Sequence, residues 1–340
     1  MNDLPTPSTP TLADVAEAAG VSQATASRVL NGSRRVAPSY RARVRAAAEE
    51  LGYAANLWAQ ATARGTASVV ALLVGDIADP YFGQIASGVA RGADEVGLVM
   101  TIAATQRDSD TETKLVRTLR GLRPHGMILA VSRAVEMAPA LKHELDTYRG
   151  AGGTIVALGK GAGDVRSVDV DNRGGALALG AALTDIGYRR AVVFGAPIGV
   201  RSSDDRIAGF NEGFLNGGGE VTRVFRAGYT RESGCKAMAE ALQDGLSPGT
   251  LVFGVSDVIS IGAMATLRES GRRPGDDIAI AGFNNTETGR DVTPSLTTVH
   301  IPLEEVGYQA LRATVDEIWK PDYSRLKLEV MLRESTPGIS

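Results

Sequence analysis

Six arginines, Arg28, Arg34, Arg35, Arg41, Arg43 and Arg45, fall between Glu17 and Glu49 with no Asp or Glu among them. Permanently charged guanidiniums crowded in this way either meet phosphates or cover a helix with a solvated face. Immediately ahead stand Gln23 and Ala24, and these with Arg28 are the side chains that discriminate base edges: Arg pairs with guanine, Gln with adenine, and a small apolar group meets the thymine methyl. Nothing comparable points to bond-making chemistry. The three histidines, His125, His143 and His300, are isolated in the chain, so neither a metal site nor a catalytic triad is expected. The single cysteine, Cys235, shares an apolar helical face with Met238 and Leu242 and reads as a packed thiol, with no internal disulfide and a reducing, cytoplasmic setting expected. Gly159-Lys-Gly-Ala-Gly163 and Gly217 to Gly219 fit neither the P-loop nor the dinucleotide spacing, so they are read as turns and Lys160 is not taken as a phosphate ligand. No enzyme activity and no cofactor are expected.

The elements around the arginines sharpen the choice. The whole chain of 340 residues has a formal net charge of -3, which argues against nucleic acid until it is divided. Residues 1 to 65 hold seven Arg against Asp3, Asp14, Glu17, Glu49 and Glu50, a balance of +2, so the remaining 275 carry -5. Such asymmetry suggests one end that meets nucleic acid. Thr11-Leu-Ala-Asp14 has the form of a capping box, followed by a short helix with Leu12, Val15, Ala16 and Ala19 on one face and Gly20 as its stop. Ser22 caps a second helix over 23–30, with Ala26, Val29 and Leu30 inward. A third, from about Ser39 to Leu51, turns Val44, Ala47, Ala48 and Leu51 inward and its arginines mostly outward. Two short helices across a tight turn, closed by a third, make a helix-turn-helix. Gln23, Ala24 and Arg28 are then the base readers, while Thr11, Ser22, Thr25, Ser27, Asn31, Arg34 and Arg35 are suited to phosphates or to capping. A three-helix bundle with another purpose is the plainer alternative.

The ordered string Thr11-Leu-x-Asp-Val-Ala-x-x-Ala-Gly-Val-Ser22, Thr25-x-Ser-Arg-Val-Leu-Asn31 and Glu50-Leu-Gly-Tyr-x-x-Asn56 strongly resembles the lactose-repressor (LacI/GalR) family of transcriptional regulators. The resemblance places Gln23, Ala24 and Arg28 on the family's base-reading positions and 56–65 on its hinge helix, with Asn56 and Thr62 against DNA. Here the chain departs from the family, with Ala55 in place of a usual Pro and Thr62 in place of a Leu wedged into the minor groove. Thr is shorter and partly polar, so a less sharply kinked operator is expected. Trp58 or Ala61 could substitute for the wedge, or Trp58 could simply pack beneath the headpiece. Residues 1–9 are expected to be a disordered tail and 10–55 the headpiece.

Beyond residue 65, short apolar runs alternate with amphipathic helices: 68–74, 98–104, 126–131, 154–158, 191–195, 251–254 and 278–282 read as buried parallel strands. The expected fold class is α/β, with two parallel sheets covered by helices. The resemblance continues through Asp79-Pro-Tyr-Phe82, Asp171-Asn-Arg-x-Gly175, Arg206-x-x-Gly-Phe210, Ser256-Asp257, Gly282-Phe283 and Pro294-x-Leu-Thr-Thr298. It implies a two-lobed core similar to periplasmic sugar-binding proteins, over 66–340, with lobe one near 66–167 and 299–328 and lobe two near 168–298 and 329–340. Crossovers are expected near Ser167, Thr298 and Leu328. Tyr81, Phe82, Asp171, Arg206, Tyr229, Ser256 and Asn284 fall on cleft-lining positions, a set suited to a small polar, sugar-like effector. Ser256 replaces a frequent Asn, and Asn284 an Asp that often grips the ligand, so a charge-assisted bond is lost there. Arg201 is a further candidate for the cleft, and Asp257 is read as a helix N-cap.

The implied protein is a homodimer that binds double-stranded operator DNA, most simply a repressor, with no membrane partner. The start MNDLPTPSTP lacks the basic and apolar regions of a signal peptide, and no apolar run approaches the roughly 18 residues of a membrane span. A solute-binding protein and an α/β enzyme are the rival classes; the headpiece argues against the first and the missing acid/base constellation against the second.

Overall fold

The computed structural model describes residues 10–30, 36–53, 68–131, 137–159 and 165–339. Contacts divide the chain into two compact units, Met1–Ala67 and Ser68–Ser340. The expected tail at 1–9, Asn31, Arg34, Arg35, the hinge at 56–65 with Asn56, Trp58 and Thr62, and Lys160 all lie outside the described residues.

In the first unit, α1 spans Leu12–Ala18, α2 Gln23–Leu30 and α3 Pro38–Glu50. The capping box is formed: the Thr11 amide donates to Asp14 Oδ2 at 2.7 Å, and the Asp14 amide donates to Thr11 Oγ1 at 3.4 Å. This bonding holds the Asp14 carboxyl below its ordinary range, the Thr11 amide contributing most. Gly20 takes φ +60, the left-handed conformation that lets the chain turn sharply between α1 and α2. Val15, Ala16, Ala19, Ala26, Val29, Val44, Ala47 and Ala48 form a separate small core. Val15 and Val44 are wholly buried at its centre, as the helical spacing requires.

The second unit holds two parallel sheets. In the first, β1 (Val69–Val74), β2 (Val99–Ala104), β3 (Gly126–Ala130), β4 (Thr154–Leu158) and β5 (Arg166–Val168) lie in the order β2-β1-β3-β4-β5. In the second, β6 (Arg190–Gly195), β7 (Glu220–Arg226), β8 (Leu251–Gly254) and β9 (Ala279–Ala281) lie in the order β7-β6-β8-β9. In both, strand order reverses about the first strand, leaving a crevice beyond the carboxyl ends. β1, β3 and β8 are buried along their whole length, which is why their sequences are unbroken apolar runs.

Helices α4 (Pro80–Glu95), α5 (Ser109–Gly121) and α6 (Pro139–Gly150) belong to the first sheet. The second carries α7 (Asn172–Asp185), α8 (Arg201–Asn216), α9 (Arg231–Gln243) and α10 (Asp257–Glu269), with the short α11 (Glu287–Asp291) after β9. The chain then forms β10 (Thr298–His300), returns as α12 (Leu303–Val315) to pack on α4, and closes with β11 (Glu329–Met331), antiparallel to β10. α4 and α12 approach backbone to backbone: a methyl group at Gly88 would collide with the Glu304 carbonyl, and one at Gly307 with the Ile85 carbonyl. Three connections thus pass between the sheets, after Val168, after His300 and before Glu329. Four strands, β5, β7, β10 and β11, were not expected from the sequence. β7 lies at a sheet edge and reads Glu-Val-Thr-Arg-Val-Phe-Arg, mostly solvent-facing, while the other three are only three residues long.

Candidate functional site

On the headpiece, Gln23, Ala24 and Arg28 are exposed, while Thr25 and Ser27 are half-buried. The first turn of α2 is held by Ser22, whose Oγ accepts the Thr25 amide at 3.2 Å and meets the Thr25 hydroxyl at 2.9 Å. Ser22 and Thr11 therefore have local capping duties, although both are exposed. Arg43 lies 5.0 Å from the Tyr40 ring centroid and reaches the Gly20 carbonyl at 3.4 Å, fastening α3 to the turn ahead of α2. The result is a short helix with a bare polar face and an arginine at its far end, suited to entering a major groove.

In the second unit, one cavity of about 440 Å³, counting space open to solvent, is lined by Asp79, Tyr81, Phe82, Arg107, Ala130 and Leu158 from the first lobe and by Ser202, Arg206, Tyr229, Ser256 and Asn284 from the second. Every one of these residues lies at or beyond the carboxyl end of a parallel strand, where open α/β sheets place their ligands. Six of the seven expected residues meet here: Tyr81, Phe82, Arg206, Tyr229, Ser256 and Asn284.

Asp171 does not join them. It is exposed, and its Oδ1 accepts the Gly174 amide at 2.8 Å as the N-cap of α7. The neighbouring Asn172 accepts a bond from Arg206 Nε at 2.8 Å, behind the cavity lining. Arg206 is 3% exposed, donates through Nη1 to the Val255 carbonyl at 2.7 Å and sits 4.1 Å from the Phe283 centroid. Its guanidinium is thereby fixed at the cavity wall by groups from three elements. Arg201 does not line the cavity; Ser202 does, bonded to the Tyr229 hydroxyl at 2.9 Å. Asp257 is the first residue of α10, and not its cap, which is Ser256. Wholly buried, Asp257 accepts from the Thr286 amide at 2.7 Å and the Thr298 hydroxyl at 2.6 Å, tying the loop after β9 to β10. Burial pushes its carboxyl above the ordinary range despite these donors.

Asp79 and Arg107 were missed from the sequence. Asp79 caps α4 by accepting the Tyr81 amide at 3.1 Å, and Arg107 Nη2 reaches its other oxygen at 3.1 Å. Burial raises the Asp79 carboxyl, with the Tyr81 amide and Arg107 opposing. Gln106 and Arg107 both take positive φ, 53° and 58°, in the turn after β2. That turn carries the Arg107 guanidinium to 5.7 Å from the Phe82 centroid and 5.2 Å from that of Tyr229 in the opposite lobe. The place of Arg107 just beyond a strand's carboxyl end was the available signal. Burial also pushes the Tyr81 phenol up to about 12, so it stays a neutral donor and acceptor at physiological pH.

Asn284 is the most informative residue. It is 3% exposed and takes φ 119°; its Nδ2 donates to Ser256 Oγ at 3.3 Å. Its Oδ1 is the one buried side-chain N or O atom among the described residues without a hydrogen-bond partner. The described residues contain no metal-binding cluster of His, Cys, Asp or Glu, and no described helix is long and apolar enough to cross a membrane.

Comparison with known proteins agrees with both halves. Residues 11–56 match the bacterial regulatory proteins of the lacI family, and residues 181–336 match the periplasmic binding protein-like domain. The HTH-type transcriptional regulator CelR of Thermobifida fusca is 32% identical over 337 residues, covering 96% of this chain and 98% of its own. A solved complex of a transcriptional regulator CelR with cellobiose is 31% identical, with a TM-score of 0.69 over 96% of this chain and 99% of that one. The lac repressor dimer bound to operator shares the fold at 23% identity, with a TM-score of 0.79 over 97% of this chain and 99% of that one. A helix-turn-helix with a bare reading face, followed by a two-lobed α/β core with a polar cleft, thus has one explanation at this level of identity: the chain belongs to the lacI family of bacterial regulatory proteins and is a DNA-binding transcriptional regulator.

Proposed function

We propose that this regulator is a cytoplasmic homodimeric repressor whose operator affinity is set by a small hydroxylated, sugar-like effector held between the lobes. The observation that carries this reading is the unpartnered, buried Oδ1 of Asn284, which asks for a hydroxyl or amine donor. The rest of the cavity supports it: Tyr81, Phe82 and Tyr229 offer ring faces, and Arg107, Arg206 and Ser202 offer directional donors. CelR, similar over the whole core, is known in complex with cellobiose. For the DNA, Gln23, Ala24 and Arg28 read bases; Thr11, Ser22, Thr25, Ser27, Asn31 and Arg34 position the helix on phosphates; and Asn56 and Thr62 act in the hinge.

Two observations favour a dimer. The lac repressor of the same fold is a dimer on its operator. In this chain the edge strand β2 exposes Val99 by 52% and Ile102 by 38%, next to Val96 at 39%, an apolar edge that a second copy would cover. Two headpieces then read the half-sites of a near-palindromic operator. Effector binding that favours one lobe arrangement over another changes DNA affinity by a coupling typically about 1–3 kcal/mol.

A gel-shift assay on the promoter-proximal DNA of its own operon, with and without sugars, polyols and nucleosides, tests the reading. Specific, salt-sensitive binding altered by a hydroxylated compound is the expected result. Absence of specific binding at any nearby palindrome, or a response confined to compounds without hydroxyls, refutes it.

A further inference from the structure

A second cavity adjoins the polar one and shares Arg107 and Tyr229 with it. It encloses about 1190 Å³, counting space open to solvent, against about 440 Å³ for the first. Its walls have a different chemistry. Val131, Met137 and Leu141 of the first lobe and Pro197 and Val200 of the second line it, so it too lies between the lobes. Most of the polar side chains around it already have partners within the protein. Asp108 accepts the Thr111 amide at 2.7 Å as the cap of α5. The Thr230 and Ser233 hydroxyls meet at 2.8 Å, and Thr230 accepts the Ser233 amide at 3.0 Å as the cap of α9. Buried Glu112 is likewise partnered. The unpartnered acceptor, Asn284 Oδ1, belongs to the first cavity. The two compartments therefore differ in what they can reward: hydrogen bonding in the first, apolar contact in the second.

Resting on the reading of the first cavity as the seat of a hydroxylated ligand, we infer that the effector is a two-part molecule: a hydroxylated ring that donates to Asn284, joined to an apolar group that fills the second cavity. The junction fits this shape. The Arg107 guanidinium stands where the compartments meet, 5.2 Å from the Tyr229 centroid, and a flat cation is a surface on which a passing ring stacks. A second sugar ring in the apolar compartment would lose water from its hydroxyls with few free groups to replace it, whereas an aryl or alkyl aglycone gains from burial alone.

Isothermal titration of the full chain with paired methyl and phenyl glycosides of glucose, galactose, mannose and xylose in both anomers, together with cellobiose, lactose and maltose, tests the inference. For the sugar that binds, the phenyl glycoside is expected to bind at least about tenfold tighter than its methyl partner, the effect of burying one aromatic ring. Val200→Asn is expected to bring that ratio towards one. The ratio is the decisive quantity because a uniform loss of competent protein in the variant cancels from it. Equal or weaker phenyl binding, a disaccharide that outbinds the phenyl glycoside of its own reducing or non-reducing sugar, or a ratio unmoved by Val200→Asn overturns the inference while leaving the first cavity as a sugar site. Failure of every glycoside and disaccharide to bind overturns the sugar reading of the first cavity and this inference together.

Discussion

Asn284→Gly should make the unliganded core more stable and the regulator less responsive. Asn284 is held at φ 119°, where a side chain costs about 1–3 kcal/mol and glycine costs nothing. Its Oδ1 is buried without a donor, a desolvation penalty of about 1–3 kcal/mol that the variant removes. Against this stand the 3.3 Å bond to Ser256, worth about 0.5–1.5 kcal/mol, and the greater freedom of glycine in the unfolded chain, about 0.5–1 kcal/mol. Central values leave a net gain of about 2 kcal/mol. The backbone bond from the Asn284 amide to the Val299 carbonyl, 2.9 Å, is untouched. Urea unfolding of the unliganded protein, followed by far-ultraviolet circular dichroism, should show the core transition at higher denaturant with an unchanged slope. Titration with any effector that binds the parent should show a loss of about tenfold, since the ligand's donor then enters the site without an acceptor. A variant less stable than its parent, or one that binds effector equally well, would show that Oδ1 is neither a stored cost nor the recognition acceptor.

Arg206→Ala removes a buried cation that donates to Asn172 and the Val255 carbonyl; hydrogen bonds from a charged donor contribute about 1.5–3 kcal/mol each, so effector affinity should fall more than tenfold and the core should lose stability, and unchanged affinity by titration would remove Arg206 from the site. His300 gives a pH signature. Arg333 donates to Asn285 Oδ1 at 2.6 Å, so Asn285 Nδ2 faces His300 Nδ1 at 3.1 Å as a donor and the ring must be neutral there. Burial holds its folded-state pKa below the unfolded value of about 6.5, with Glu329 opposing and Arg290 and Arg333 adding to the lowering. Its contribution to stability is therefore present above that pH and lost as pH falls through the folded-state pKa. His300→Gln should flatten urea-derived stability just below pH 6.5, and an unaltered slope would sink this account. Arg28→Ala should cost about 1–3 kcal/mol at one base pair and relax preference there, read by binding to selected operators at fixed salt; equal losses on all sequences would mark Arg28 as a phosphate contact. Thr62→Leu should tighten operator binding and increase the bend measured by circular-permutation gel mobility, and an unchanged bend would show that position 62 is not the wedge.

The headpiece was almost fully legible because its elements are local. A capping box, a left-handed glycine and a 3.6-residue apolar period are each written within a few positions, and the structure places α1, α2 and α3 within a residue or two of where those signals put them. The buried strands were legible for a similar reason, since a strand covered on both faces must be apolar throughout. β7 was not, because an edge strand carries Glu220, Arg223 and Arg226 as readily as a loop does. In the cleft, Tyr81, Phe82, Arg206, Tyr229, Ser256 and Asn284 were assigned from resemblance, and they do line one cavity. Asp171 does not line that cavity, for a physical reason: at a helix start the first claim on a carboxylate is the free backbone amide two or three residues on, and Gly174 makes that claim.

Charge segregation, capping and apolar periodicity are properties of short stretches of chain, so the DNA-reading end and the α/β class of the core follow from residue order alone. The cleft is a convergence of loops from two sheets, up to 205 positions apart between Asp79 and Asn284. No local pattern tells whether Arg107 crosses to Tyr229, whether Arg206 is spent on Asn172, or which amide oxygen is left without a donor. Those outcomes depend on which side chains compete for the same buried partner, and that competition exists only once the two lobes face each other.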